Sequence, residues 1–199
     1  MFEHILTDYA HARNTAAAQH PDQTTPLRAV MLRYFNVAGS DPDGLLGEDH
    51  DPETHLIPVA IQAALGQRPA LTIFGTDYPT PPTPDGTCVR DYVHVDDLAA
   101  AHVLAMNKMT DWDPGVRAYN VGIGNGFSVR QVIESVRRAT GRDFEVKEGP
   151  RRPGDAVALY NDPAKIQSEL GWTPRHTNLD DIVRHAWDWM SAHPNGYGD

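Results

Sequence analysis

The sequence predicts a mixed α/β chain, and three observations predict it. Phe2, Ile5, Leu6 and Tyr9 recur at helical spacing. Leu27 to Phe35 is a short apolar, β-branched run of the kind that forms a buried strand. Ser128 and Gln131 form a capping box, the signature of a helix start. The strands are short and do not repeat, and 199 residues suffice for one domain, or a domain plus part of another.

Taken in order, residues 2–13 read as an amphipathic helix with no capping residue ahead of it. Residues 14–26 read as loop, and the strand from Leu27 ends at Asn36. Gly39 to Thr54 is turn-rich and acidic, so it is expected on the surface. A helix follows over 57–66 with Gly66 as its stop, then a strand at Leu71 to Phe74 and a Pro-rich loop from Tyr78 to Gly86. Arg90 to Val95 alternates like a strand, and Asp96 is placed to cap a helix over 97–108. Ala118 to Val121 and Phe144 to Lys147 are strands on either side of the 128–139 helix, and helices near 163–170 and 179–192 close the chain. Only the 27–36 strand with its preceding helix looks like a unit of a doubly wound sheet, and one such unit cannot make that sheet.

Composition narrows the function classes. With 40% hydrophobic and 22% charged residues the chain reads as a soluble globular protein. No apolar run approaches the roughly 20 residues of a membrane helix. The start, Met1-Phe2-Glu3-His4-Ile5-Leu6, lacks the pattern of a signal peptide, so a cytoplasmic protein is expected. The formal charge of -10 opposes nonspecific nucleic-acid binding. It also means that any anionic ligand must be met by a few locally placed arginines. The single Cys88 excludes an internal disulfide.

Several patterns invite chemistry, and most have a plainer reading. Gly122-Ile123-Gly124-Asn125-Gly126 sits between a strand and a helix, yet Phe127 stands where a dinucleotide loop needs its third glycine. Turn chemistry plus the Ser128 cap accounts for it. His94, Asp96, Asp97 and His102 resemble a metal cluster but lack a further ligand at helical spacing, and no metal is assigned. Tyr9 and Arg13 are a helix-surface pair, since arginine does not deprotonate to assist a phenol. Glu48, Asp49 and Asp51 with His50 read as a solvated loop, and Pro79 to Pro84 as a stiff one. Arg90, Arg151 and Arg152 lie beside turns and suit phosphate contacts, with Asp155 placed for a sugar hydroxyl.

Together these segments resemble the extended short-chain dehydrogenase/reductase superfamily and, within it, the UDP-glucose 4-epimerases. The matching stretches are Leu32 to Gly39 (LRYFNVAG), Thr54 to Pro58 (THLIP), Leu71 to Gly75 (LTIFG), Asp85 to Val95 (DGTCVRDYVHV), Tyr119 to Gly126 and Arg151 to Asp155 (RRPGD), with His193 to Tyr197 at the end. The resemblance implies an α/β fold: a carboxyl-terminal substrate-binding domain plus the last strand–helix portion of a truncated Rossmann-type sheet. It implies a remnant of the NAD-binding domain over 1–38 and a mainly UDP-sugar-binding domain over 39–199. Such enzymes oxidise the sugar C4 hydroxyl with bound NAD, rotate the 4-keto sugar and return the hydride to its other face. Their base is the tyrosine of a Tyr-x-x-x-Lys helix that leads into the Arg-Tyr-Phe-Asn strand. No tyrosine here has lysine four residues on, and the resemblance implies that the chain begins just after that lysine.

By position, the resemblance assigns Asn36 to the substrate diphosphate and Tyr34 and Phe35 to the nicotinamide edge. His55, Leu56, Thr72, Ile73 and Phe74 line the sugar-nucleotide and uracil pocket. Arg90 and Arg152 hold phosphates, Asp155 the ribose, and Leu159 stands where a larger side chain closes the hexose pocket. No catalytic residue is assigned. The expected partner is a UDP-sugar, with a homodimer or a complementing chain as protein partners. NAD is implied, with binding by this chain alone in doubt. Doubling of Pro-Thr-Pro between Tyr78 and Gly86 departs from the family loop, and either shifts Arg90 or bulges into solvent. Two readings follow: part of a 4-epimerase, inactive alone, or a UDP-sugar-binding module or half-enzyme that works without turnover of its own.

Overall fold

The computed structural model describes residues 1–198. Helix α1 (Phe2–Gln19) leads into strands β1 (Arg28–Tyr34) and β2 (Asn36–Ala38). Helix α2 (Leu56–Ala64), β3 (Leu71–Phe74), β4 (Val89–Arg90), β5 (Tyr92–His94) and α3 (Val95–Lys108) follow. After a short 3-10 turn come β6 (Gly115–Val121), β7 (Phe127–Ser128) and α4 (Val129–Thr140). Then β8 (Val146–Gly149), β9 (Ala158–Leu159), α5 (Ala164–Leu170) and α6 (Leu179–Ala192) complete the order. Among the described residues no helix is long and apolar enough to cross a membrane.

The expected loop over 14–26 begins only after Gln19, because Ala16-Ala17-Ala18-Gln19 are strong helix formers and carry α1 to Gln19. Asn14 does not break the helix. Its amide accepts from Leu27 N–H at 2.6 Å and donates to Leu27 C=O at 3.1 Å, which joins α1 to the start of β1. The apolar stripe of α1 does not pack inward: Phe2, Ile5 and Tyr9 are exposed, and Ala10 and Ala17 are buried instead.

Strand β1 runs parallel to β6 from Arg28↔Gly115 to Tyr34↔Val121. At Phe35 the chain steps away, and β2 pairs in parallel with β5. Strand β3 pairs in parallel with β8. A small mixed sheet places β4 between antiparallel β7 and parallel β9. Strands β7 and β9 have only two residues each, too few for any periodicity, and exist because Val89 and Arg90 offer ladder partners.

Two apolar clusters hold these elements. One packs Ile57 and Ile61 of α2, Leu71 and Ile73 of β3, Val132 and Val136 of α4, and Ile182 and Val183 of α6. The other packs Leu98 and Ala101 of α3, Tyr119 and Val121 of β6, Ile166 and Leu170 of α5, and Trp172. Each fully buried aliphatic contributes about 1.5–3 kcal/mol. Helix α4 starts where its capping box requires, Ser128 and Gln131 each bonding the other's backbone N–H.

The expected Asp96 cap is replaced. His94 caps α3, its Nδ1 accepting from Asp96 N–H at 3.1 Å, because burial of the ring puts that nitrogen over the first turn. Asp97 turns inward and accepts from Arg175 N–H and His176 N–H, both at 2.9 Å. With Nδ1 accepting, the neutral His94 ring carries its proton on Nε2 and donates to His185 Nδ1 at 3.0 Å. The His176 ring lies with its centroid 4.2 Å from that of His94.

Burial, and then the neighbouring His176 and His185, push the His94 pKa from 6.5 down to about 4. Asp97, Arg175, Arg184, Asp181 and Asp188 complete the charged surroundings of this cluster. His185 is lowered too, by its own burial first. Below pH 6.5 the unfolded chain takes up protons that the folded one refuses, so stability falls as pH drops from 6.5 toward 4. Each such group contributes a slope of up to about 1.4 kcal/mol per pH unit. Urea unfolding across that window will show a shallower fall in His94→Gln than in the parent chain.

Candidate functional site

A cleft of about 1340 Å³ opens beside the first of the two apolar clusters, whose Ala38, Ile57, Leu71, Ile73 and Tyr92 help to line it. Its floor is the β2 end and β3; its walls are the loop following β2, the first turn of α2, β4 and the segment around Arg152 and Asp155. Gly39 lets the chain turn into the cleft: its φ is +87°, and a Cβ there would stand 2.6 Å from the His94 ring.

Ten of the residues singled out by the resemblance line this cleft: Phe35, Asn36, His55, Leu56, Thr72, Ile73, Phe74, Arg90, Arg152 and Asp155. Tyr34 and Leu159 stand apart from it. Tyr34 is the last residue of β1 and alternates away from Phe35, its hydroxyl meeting His102 Nε2 at 3.2 Å. Leu159 lies across the ladder from Arg90 and is half exposed.

The two arginines are held differently. The Arg90 side chain is only 17% exposed, and its NH1 donates to the Val89 and Ala156 carbonyls, both at 2.8 Å. Arg152 is 63% exposed and lies over the Phe74 ring at 4.3 Å from its centroid. The Asp155 carboxylate stands between them, 3.7 Å from Arg90 and 3.8 Å from Arg152. Two guanidiniums against one carboxylate leave a positive charge at the cleft. Arg151 is engaged elsewhere, with Asp77 at 2.7 Å and the Tyr78 ring at 4.3 Å.

The opposite wall agrees with the solvated-loop expectation at Asp49, His50 and Asp51, which are exposed, and departs from it at Glu48 and its neighbour Glu53. Asp51 is exposed, but Glu53 is buried and Glu48 is largely so, and both face the cleft. Glu53 Oε1 accepts from Thr54 and His55 N–H, each at 2.6 Å, and so occupies amides ahead of α2. Arg68 donates to the Glu53 carbonyl at 2.8 Å. Burial, and then the charge of Glu53, raise the Glu48 pKa. The sequence signal was the alternation Glu48, His50, Glu53, His55, obscured by the acidic residues between them.

The doubled Pro-Thr-Pro bulges outward. Pro79 to Pro82 are exposed, Thr83 closes the loop on Pro79 C=O and Gly86 N–H, and none of these residues lines the cleft.

The geometry defines a mixed α/β unit, its strands mostly parallel, carrying a cleft with one cationic wall, one acidic wall and an apolar face between them. Residues 1–122 match the family described as NAD dependent epimerase/dehydratase, and the chain belongs to that family. It is 50% identical over 171 residues to a UDP-glucose 4-epimerase of Halalkalibacterium halodurans, covering 86% of this chain and 50% of that protein. It is 46% identical over 202 residues to a probable UDP-arabinose 4-epimerase 1 of Oryza sativa subsp. japonica, covering all of this chain and 44% of that one. The crystal structure of UDP-glucose 4-epimerase from Brucella ovis in complex with NAD superposes with a TM-score of 0.79 at 47% identity, covering 94% of this chain and 52% of that one. The chain spans about half the length of the curated relatives it matches. The mixed α/β fold is that of the UDP-glucose 4-epimerases.

The glycine-rich turn is occupied by internal hydrogen bonds rather than open to a dinucleotide. In the glycine-rich turn, Ile123 and Gly124 N–H donate to the two oxygens of Asp91 at 2.9 and 3.0 Å, so neither is free for a pyrophosphate. A Cβ at Gly122 would lie 2.8 Å from Asp91 Oδ2, and one at Gly124 2.9 Å from Pro163. These glycines serve internal packing. Asp91→Ala leaves those two amides and that of Asn161 without their buried acceptor. It will lower unfolding free energy by about 3 kcal/mol or more in urea titration.

Proposed function

We propose that the cleft is the sugar-nucleotide site of a UDP-sugar 4-epimerase, and that this chain binds the nucleotide sugar without turning it over alone. The observation that carries the reading is the convergence of Asn36, Arg90, Arg152 and Asp155 with the apolar β3 wall on one cleft. In this reading Asn36, Arg90 and Arg152 meet the diphosphate, whose charge the local arginines offset against the chain's net -10. Asp155 takes the ribose hydroxyls. Thr72, Ile73 and Phe74 hold the uracil, and His55 and Leu56 face the sugar nucleotide. Phe35 lies at the nicotinamide edge, while Tyr34 and Leu159 act only indirectly, beside the site.

The reaction proposed for the longer protein is interconversion of UDP-glucose and UDP-galactose. The redox chemistry at sugar C4 is supplied by NAD when bound, and this chain contributes binding and orientation. It contains no tyrosine followed four residues later by lysine, hence no phenol of that type to exchange the C4 proton. A complementing chain is favoured by the exposure of the apolar side chains Phe2, Ile5 and Tyr9 along α1 and of Tyr34 at the end of β1. A non-catalytic UDP-sugar-binding module is the second reading, and the same cleft supports it.

Calorimetric titration of UDP into the folded chain will show saturable binding. Arg152→Ala, an exposed change that spares the core, will weaken it about tenfold or more, the loss of one charge-assisted contact. Absence of binding to a chain shown folded by circular dichroism overturns the site. Incubated with UDP-glucose and NAD, the chain alone will form no UDP-galactose above a protein-free blank, and turnover would refute the incomplete-enzyme reading.

A further inference from the structure

Beside the arginines, the cleft holds a second set of side chains, of which only His55 is also placed against the nucleotide sugar. Glu48, His50, Glu53 and His55 each place one ligand-type atom within 4.8 Å of the others. His50 Nδ1 and His55 Nδ1 lie 2.9 and 3.0 Å from Glu48 Oε1, and His55 Nδ1 lies 2.9 Å from Glu53 Oε1. His50 Nδ1 stands 3.9 Å from Glu53 Oε2. A tetrahedral zinc-type ion with bonds of about 2.0–2.2 Å keeps its neighbouring ligand atoms roughly 3.3 Å apart. The 2.9 and 3.0 Å from Glu48 Oε1 to the two imidazoles and the 3.9 Å from His50 Nδ1 to Glu53 Oε2 lie on either side of that edge.

Three further features set this cluster apart from a chance meeting of surface charges. The Glu53 side chain is only 4% exposed. Its Oε1 accepts from two backbone amides, whereas Oε2 accepts no hydrogen bond among the described residues. The segment is also fixed from outside: Tyr197 OH bonds both N–H and C=O of Gly47, Tyr197 N–H donates to Asp49, and Arg68 holds the Glu53 carbonyl. The donor set, two imidazoles and two carboxylates, suits a borderline divalent ion more than a hard one.

The other convergence of histidines has a different chemistry. His94, His176 and His185 also come within 4.8 Å. Both His94 nitrogens are already committed, Nδ1 to the α3 amide and Nε2 as donor to His185. To ligate through Nε2 the ring would have to give up the proton that its Nδ1 bond places there, whereas Nε2 of His50 and of His55 makes no hydrogen bond among the described residues and can carry the proton that leaves Nδ1.

We propose that Glu48, His50, Glu53 and His55 form a zinc-class divalent cation site in the cleft wall. The ion cancels two carboxylate charges beside an anion-binding cleft and fastens the 48–55 segment to the start of α2. Binding displaces the protons now shared between the histidines and glutamates. The site stands on these four residues whatever nucleotide sugar the cleft takes.

The test is titration of Co²⁺ into the full metal-stripped chain, followed by visible absorption, in the absence of UDP. One equivalent will produce the intense bands of four-coordinate cobalt. Glu48→Gln and His50→Asn will each weaken binding tenfold or more, and His185→Asn will leave it unchanged. X-ray absorption of the zinc-loaded parent chain will count two imidazoles, a readout that does not depend on any variant folding. No bound equivalent, loss of binding in His185→Asn, or three imidazoles at the ion would each overturn the site. UDP binding by a chain that takes no metal would leave the sugar-nucleotide reading standing.

Discussion

The buried carboxylate of Asp91 is the constraint on which the rest of the structure depends. It stands at the one-residue break between β4 and β5, where the two apolar clusters meet. Its side chain accepts from Ile123, Gly124 and Asn161 N–H, its own N–H donates to Leu159 C=O, and its C=O accepts from Asn36 N–H. One residue therefore joins β2, β9, the turn after β6 and the segment leading to α5. Burial raises its pKa and the three amides oppose that rise, so the carboxylate is maintained by backbone donors without a paired cation.

The cleft follows from that junction. Asp91 fixes Leu159 and Asn36, and the neighbouring Arg90, on β4 between β7 and β9, is largely buried and braced on two carbonyls. Arg152, by contrast, reaches in from an exposed loop and rests on Phe74. A rigid cation and an adjustable one share Asp155, an arrangement that retains positive charge locally in an acidic protein. Across the cleft Glu53 organises the approach to α2 through backbone amides. The two walls thus carry opposite charge, with the apolar β3 face between them.

Some of this was legible in the residues. The Ser128 and Gln131 capping box, the β3 strand and the two closing helices depend on contacts a few residues apart, and local pattern identified them. Ten cleft residues were recognisable through family motifs, because a binding motif preserves residue types at fixed spacing. Tyr34 and Leu159 were not separable that way. Tyr34 stands in a motif and Leu159 in none, and the side on which each side chain emerges depends on strand register and on what faces it, His102 for Tyr34 and the Arg90 ladder for Leu159. Glu53 looked like one acid among many until a hydrogen-bonded turn buried it.

By itself the sequence determined the α/β class, most helix and strand segments, the lack of a Tyr-x-x-x-Lys pair and the set of charged residues from which a site is built. Only the tertiary structure decided that β1 pairs with β6, that His94 rather than Asp96 caps α3, that α1 leaves its apolar stripe in solvent, and that Glu48, His50, Glu53 and His55 converge. The physical reason is range. Capping and periodicity are local and act over a turn or two, whereas burial, strand pairing and charge convergence depend on residues tens of positions away. Their free energy appears only when those distant segments meet.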